Sequence, residues 1–180
     1  LPFLLDTPIK RICEASTTDE ALRTSFIEIA QRLKARITAI PNLTRVACHG
    51  DCHGSNNFMV EGPDGTRIAA FFDFDDAGPG WLAYDLCVFI WNMLPRKVGE
   101  RFDEESLKCW RHFLIGYRSV RTLEPNDFDA IAAFIMVRQI WLLGEYAGRI
   151  PVWGEQMLST NYLRRQVAVL LDWESLTTPS

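Results

Sequence analysis

The chain has 180 residues, 23% of them charged and 48% apolar, with a formal net charge of −4. That length suits one domain with a full core, and the acidic balance excludes a duplex nucleic-acid binder working through a basic stripe. No uninterrupted apolar run reaches the ~18 residues of a membrane span, and the five scattered cysteines read as reduced thiols of a cytoplasmic protein.

Leu1-Pro2-Phe3-Leu4-Leu5 carries no basic leader of the signal-peptide kind. The first methionine is Met59, so the chain reads as part of a longer protein. Residues 1–15, interrupted by Pro2 and Pro8, are expected to be irregular. Thr17 and Glu20 have capping-box spacing. Behind them Leu22, Phe26, Ile29, Leu33 and Ile40 recur at helical intervals up to Pro41, which predicts a long amphipathic helix. Arg45–Cys48 reads as a short strand and His49–Asn57 as a polar loop. Phe58-Met59-Val60 and Ile68–Phe72 read as strands joined across Pro63-Asp64-Gly65, with an acidic loop, Asp73–Gly80, directly after. Helices are predicted near 84–94, 103–119, 126–147 and 155–173, separated by Pro95, Pro125 and Gly148–Gly154. The stretch 131–143 is apolar almost all round, as in a helix buried mid-domain. The fold class is therefore α+β, mostly helical, with a small β-hairpin presenting two polar loops.

Those loops hold the dense polar clusters, His49-Gly50-Asp51-Cys52-His53-Gly54-Ser55-Asn56-Asn57 and Asp73-Phe74-Asp75-Asp76. Strand ends aim loop side chains at a common point, so Asp51, Asn56 and Asp73 can converge. Phosphoryl transfer needs such a set. A carboxylate orients the acceptor hydroxyl and takes its proton, while hard oxygens hold Mg²⁺ against the ATP phosphates. An Asp, an Asn five residues on, and another Asp after a hairpin is the order of kinase catalytic loops.

His49-Gly50-Asp51 with Asn56, then Phe72-Asp73-Phe74-Asp75, then Tyr84-Asp85-Leu86, resembles the core of the aminoglycoside phosphotransferase and choline kinase-like family. Cys48–Asn56 and the helical tail are also similar to bacterial stress-response kinases acting on protein serine or threonine. The resemblance implies the C-terminal lobe of a protein-kinase-like fold, with a catalytic core over 45–90 and a helical subdomain over 91–175. It implies ATP and Mg²⁺ as cofactors and a hydroxyl-bearing acceptor: an aminoglycoside, another small alcohol, or a protein. Asp51 takes the place of the catalytic base, and Asn56 and Asp73 those of magnesium ligands. Asp75 is either a third carboxylate at the metals or a solvated one. His53 falls where a phosphate-contacting lysine stands in protein kinases. Phe58 and Phe72 are placed beneath adenine, and His49 and Asp85 as structural supports of the loop. Gly54-Ser55 departs from the Pro-Gly often found before the Asn. The lobe that carries the phosphate-pairing lysine has no counterpart in the 16 irregular residues before the first helix, so the lobe alone is expected to be inactive.

Other readings compete. Cys48, His49, Cys52 and His53 are zinc-ligand types, but adjacent Cys-His pairs three residues apart cannot all face one tetrahedral ion. Phe71-Phe72-Asp73-Phe74-Asp75 matches the strand-plus-Asp-x-Asp of haloacid-dehalogenase-like phosphatases and of metal-dependent glycosyl transferases. Both need alternating strands and helices downstream, where this chain predicts only helices. A non-catalytic kinase-like scaffold belongs to a different class, and the presence of Asp51, Asn56 and Asp73 argues against it. Most of the six tryptophans are expected in the core. Trp141 and Tyr146 near Glu145 suit a cationic acceptor, whereas Arg138 and Arg149 suit an anionic one.

Overall fold

The computed structural model describes residues 1–180. Its helical structure begins earlier than the prolines suggest. Pro2–Asp6 forms a π-type turn that runs into α1 (Thr7–Glu14). Both prolines sit in the first turn of their segment, where a missing N–H breaks no hydrogen bond and the fixed φ is already helical. The expected irregular stretch is thus mostly helix, and it buries Leu4, Leu5 and Ile12.

α2 (Glu20–Thr38) follows the amphipathic pattern, burying Leu22, Phe26, Ile29, Leu33 and Ile37. Its cap differs from the expected Thr17 box. Asp19 accepts from Leu22 N at 2.9 Å, and Thr17 is buried with its carbonyl accepting from Thr160 Oγ1 at 2.8 Å. An aspartate beside the first turn satisfies an orphan N–H and favours the helix dipole.

β1 (Arg45–Cys48) is followed by the hairpin of β2 (Asn57–Glu61) and β3 (Arg67–Phe71), paired antiparallel from Asn57↔Phe71 to Glu61↔Arg67. The acidic loop is shorter than expected. Its end, Gly78–Trp81, forms β4 and pairs antiparallel with β1, from Arg45↔Trp81 to Cys48↔Gly78. Two glycines and a proline conceal this strand in the sequence, since none of them favours a ladder.

α3 (Leu82–Trp91), α4 (Glu104–Val120), α5 (Pro125–Trp153) and α6 (Thr160–Trp173) complete the chain. α5 is the central pillar, with Ala130–Trp141 buried throughout. It is long and apolar enough by length and composition to cross a membrane, and 83% of its most apolar window is buried inside the protein. That revises the expectation that no such segment exists. α5 also extends past the expected stop near 147, through Gly148 and Pro151, to Trp153. Its packing against α1 outweighs the local breakers. A Cβ on Gly144 would lie 2.4 Å from Pro8 Cα, so α1 rests directly on the α5 backbone. The helix ends where Gly154, at φ +79, donates its N–H to Ile150 O at 2.8 Å. Trp91, Trp110, Trp141 and Trp173 are buried, while Trp153 is exposed.

Candidate active site

The polar loop between β1 and β2 and the acidic loop after β3 meet at one end of the hairpin. Phe72 N donates to Asn56 O at 3.1 Å, continuing the β2–β3 pairing, and Asp73 is the next residue in the chain. His49 bridges the two loops. Its Nδ1 accepts from Asp51 N at 3.3 Å, so the neutral ring carries its proton on Nε2 and donates to Phe72 O at 3.0 Å. Its ring rests 4.4 Å from that of Phe74. Gly50, at φ +83, allows the loops to touch, because a Cβ there would fall 2.2 Å from Asp76 O.

Asp85, in the first turn of α3, holds the loop backbone from below. Its Oδ1 accepts from Gly50 N at 2.9 Å and its Oδ2 from His49 N at 3.2 Å. Asp51 stands at the centre. Asn56 Nδ2 donates to Asp51 O at 2.9 Å and to Asp51 Oδ2 at 3.3 Å, and His53 Nε2 lies 3.6 Å from the same Oδ2. His53 is itself oriented by Ser55 N, which donates to its Nδ1 at 3.1 Å.

The donor chemistry fits a hard divalent cation. Asn56 spends its Nδ2 on Asp51, which leaves its Oδ1 without a protein donor. Asp73 takes a left-handed backbone at φ +64, a conformation that favours Asp over bulkier residues. No three His, Cys, Asp or Glu side chains form a cage of their own. A magnesium ion here would be held by Asn56 and Asp73 together with phosphate oxygens and water, the usual pattern for this metal. Bound there, the ion would neutralise charge on the nucleotide phosphates.

Asp75 and Asp76 border a cavity of about 500 Å³ that also reaches Gly50, Trp81 and Tyr84. Burial raises the pKa of Asp76 above the ordinary carboxylate value, with Arg138 opposing and the neighbouring Asp51, Glu145 and Asp73 charges reinforcing. Phe58 and Phe72 lie together on the hairpin, ring centroids 5.7 Å apart, and both are exposed. Burial pushes the thiol of Cys48 up to about 12 and that of Cys52 to about 11.

The residue that the sequence did not connect to this site is Arg138, from the middle of α5. Only 3% of its side chain is exposed, and its Nη2 donates to Asp51 Oδ1. Its Nη1 donates to Tyr84 Oη at 3.2 Å and Gly50 O at 3.4 Å. The signal was present: a lone arginine inside an apolar helix requires a buried counter-charge. The acceptor groups read from this stretch are engaged otherwise. The Arg138 guanidinium lies 4.3 Å from the Trp141 ring, Glu145 pairs with Arg11 of α1, and Arg149 sits 4.7 Å over Trp153.

Solved structures share this fold. An amicoumacin kinase in complex with AMP-PNP, Ca²⁺ and Ami matches with a TM-score of 0.64 at 20% identity, over 93% of this chain and 48% of that one. A microcompartment-associated aminopropanol kinase matches at 0.57 and 21% identity, over 91% and 46%, so the fold is kinase-like. By sequence, a Deinococcus radiodurans protein of uncharacterised function is 34% identical over 175 residues, 97% of this chain and 49% of its own. The amicoumacin kinase of Bacillus subtilis is 31% identical over 101 residues, 53% of this chain and 28% of its own. The chain thus spans about half or less of the length of the curated relatives it matches. The family model of the phosphotransferase enzyme family matches residues 5–123, from α1 through both polar loops to the end of α4. On that match the chain belongs to the phosphotransferase enzyme family.

Proposed function

We propose that this chain is the C-terminal lobe of an ATP-dependent kinase that phosphorylates the hydroxyl of a small molecule. The observation that carries the reading is the hydrogen-bonded pair of Asp51 and Asn56 at the meeting point of two loops, with Asp73 following the Phe72 N–H that bonds Asn56 O. In the reaction, an oxygen of Asp51 accepts the acceptor's hydroxyl proton as that hydroxyl oxygen bonds to the γ-phosphorus. The bond from that phosphorus to the β–γ bridging oxygen breaks, and ADP leaves. Asn56 and Asp73 supply the magnesium oxygens. Asp75 faces the cavity beside Asp76, which favours a role toward the acceptor over a third metal ligand. His53 stands beside Asp51 for contact with the transferred phosphate, and His49 and Asp85 hold the loop. Phe58 and Phe72 offer an apolar floor to adenine.

The cavity carries two carboxylates, Asp75 and Asp76, against one guanidinium, Arg45 stacked on Trp81, and the nearby Arg138 is already paired; that excess of negative charge favours an acceptor bearing an amine. Relatives named for amicoumacin and aminopropanol agree with a small acceptor. The relatives' greater length supports a separate N-terminal lobe that grips ATP. Five free thiols suit the cytoplasm.

The test is a transfer assay of the full-length protein with Mg·ATP against aminoglycosides, ethanolamine, aminopropanol, homoserine and a protein substrate. Phosphorylation of an amino alcohol or aminoglycoside, lost in Asp51→Asn, is the expected result. Transfer to protein alone would move the acceptor assignment. Full activity in Asp51→Asn would remove that residue from the chemistry.

A further inference from the structure

Arg138 is tied to the loop that carries Asp51 more firmly than a core arginine needs. The two are 87 residues apart in the chain, and no element other than α5 brings a cation to Asp51. Both Nη groups of the guanidinium are engaged, while its buried Nε has no partner. Nη2 donates to Asp51 Oδ1, and Nη1 donates to Tyr84 Oη and Gly50 O. The guanidinium carbon lies 4.3 Å from the Trp141 ring and 5.1 Å from that of Trp91. Trp91 is locked in turn, since its Nε1 donates to Gln139 Oε1 at 2.9 Å and Gln139 Nε2 donates to Gln166 Oε1 at 2.8 Å. One N–H of a planar guanidinium whose other arm is anchored on Tyr84 and Gly50 holds one oxygen of the carboxylate in a fixed direction and so orients the other, which a rotating ammonium does not.

We infer that Arg138 is a positioning residue for the transfer step, tethering Asp51 Oδ1 so that Oδ2 is the oxygen that takes the acceptor's proton. The inference rests on the reading of Asp51 as the base. Oδ2 is the oxygen on the side of Asn56 and His53, 3.3 Å from Asn56 Nδ2 and 3.6 Å from His53 Nε2. It therefore faces the residues assigned to the metal and the phosphate, while Oδ1 faces the helical core. Without the tether the carboxylate can rotate, and a displaced base slows the step by about a hundredfold while ATP affinity, carried by Asn56, Asp73 and the two phenylalanines, changes little. A residue that only filled space would not produce that division.

The test compares Asp51→Asn, Arg138→Met, Arg138→Lys and the double variant Asp51→Asn/Arg138→Met in the full-length protein. Phosphate transfer from Mg·ATP is followed with water, ethanolamine, aminopropanol and kanamycin as acceptor probes, and each variant's melting temperature is recorded. Arg138→Met is expected to lower kcat about a hundredfold with KM for ATP within about twofold. Arg138→Lys, which keeps the charge but not the fork, is expected to lose less. The double variant is expected to be no slower than Asp51→Asn alone, because the arginine acts only through that carboxylate. Wild-type kcat in a folded Arg138→Met, or losses that multiply in the double variant, overturn the role of Arg138 and leave Asp51 in place. If Arg138→Met does not fold, Arg138→Lys decides, and a rate equal to wild type overturns the inference. Near-normal turnover of Asp51→Asn removes the base itself, and no transfer by the wild type to any probe overturns both readings.

Discussion

Asp51 is held by groups from two parts of the chain: its own loop, through Asn56 and His53, and α5, through Arg138. Replacing it by alanine would leave a buried guanidinium without its partner, a change that itself destabilises a fold. Asparagine keeps the shape and is the cleaner probe. The same care applies at Asp73, whose φ of +64 would strain an alanine. Asn tolerates that backbone, so Asp73→Asn isolates the charge. The expected outcome is a rise of about tenfold or more in the Mg²⁺ concentration for half-maximal transfer, with the fold intact. A titration of rate against Mg²⁺ checks this, and an unchanged metal dependence would take Asp73 out of the metal site. The order of Asp51, Asn56 and Asp73 was legible because loop motifs are local. The Arg138 contact was not, because nothing near position 138 names its partner.

At the scale of elements, α1 against α5 and the cap of α2 make separate claims. Gly144 lets Pro8 approach the α5 backbone, and a Cβ there would meet Pro8 Cα at 2.4 Å. Gly144→Ala is expected to lower stability by about 1–3 kcal/mol despite alanine's better helix propensity. Denaturant melts of the two chains test it, and an unchanged midpoint would show that α1 can move aside. The α2 cap is titratable. Asp19 is held below the ordinary carboxylate pKa, first by the Leu22 N–H and next by Arg164. A lowered pKa in the folded state gives stability that is present above the unfolded value and lost as pH falls through the folded one. Asp19→Ala is therefore expected to melt lower than wild type at pH 7, with the gap closing in acid below the ordinary carboxylate range. Melting curves at neutral and acidic pH check it, and a gap independent of pH would refute the charged cap. The long helix and the hairpin followed from periodicity and turn residues. α1 and β4 did not, because proline and glycine were read as breakers where one begins a helix and the other accompanies a paired strand.

For the whole molecule, the hairpin end leaves Phe58, Phe72 and Phe74 exposed beside the clustered carboxylates. The proposed nucleotide and second lobe would meet this surface, and the chain covers 48% of the amicoumacin kinase structure that shares its fold. The 180 residues alone are expected to give no phosphate transfer from Mg·ATP above a protein-free control, and the full-length protein is expected to restore it. A phosphate-release assay on both decides the matter, since turnover by the isolated chain would end the two-lobe reading.

The residues by themselves determined the family resemblance and the order of its motifs along the chain, because Asp51, Asn56, Asp73 and Asp85 fall in two loops and a helix start that short strands bring together. They also determined that 131–143 must be interior, since a helix apolar on all sides has no stable place in water. Tertiary structure alone decided which cation meets Asp51, how α1 and β4 find their places, and that α5 continues through Pro151. Those outcomes depend on burial and charge neutralisation between segments far apart in sequence, whereas caps, turns and periodicity act only over a few residues.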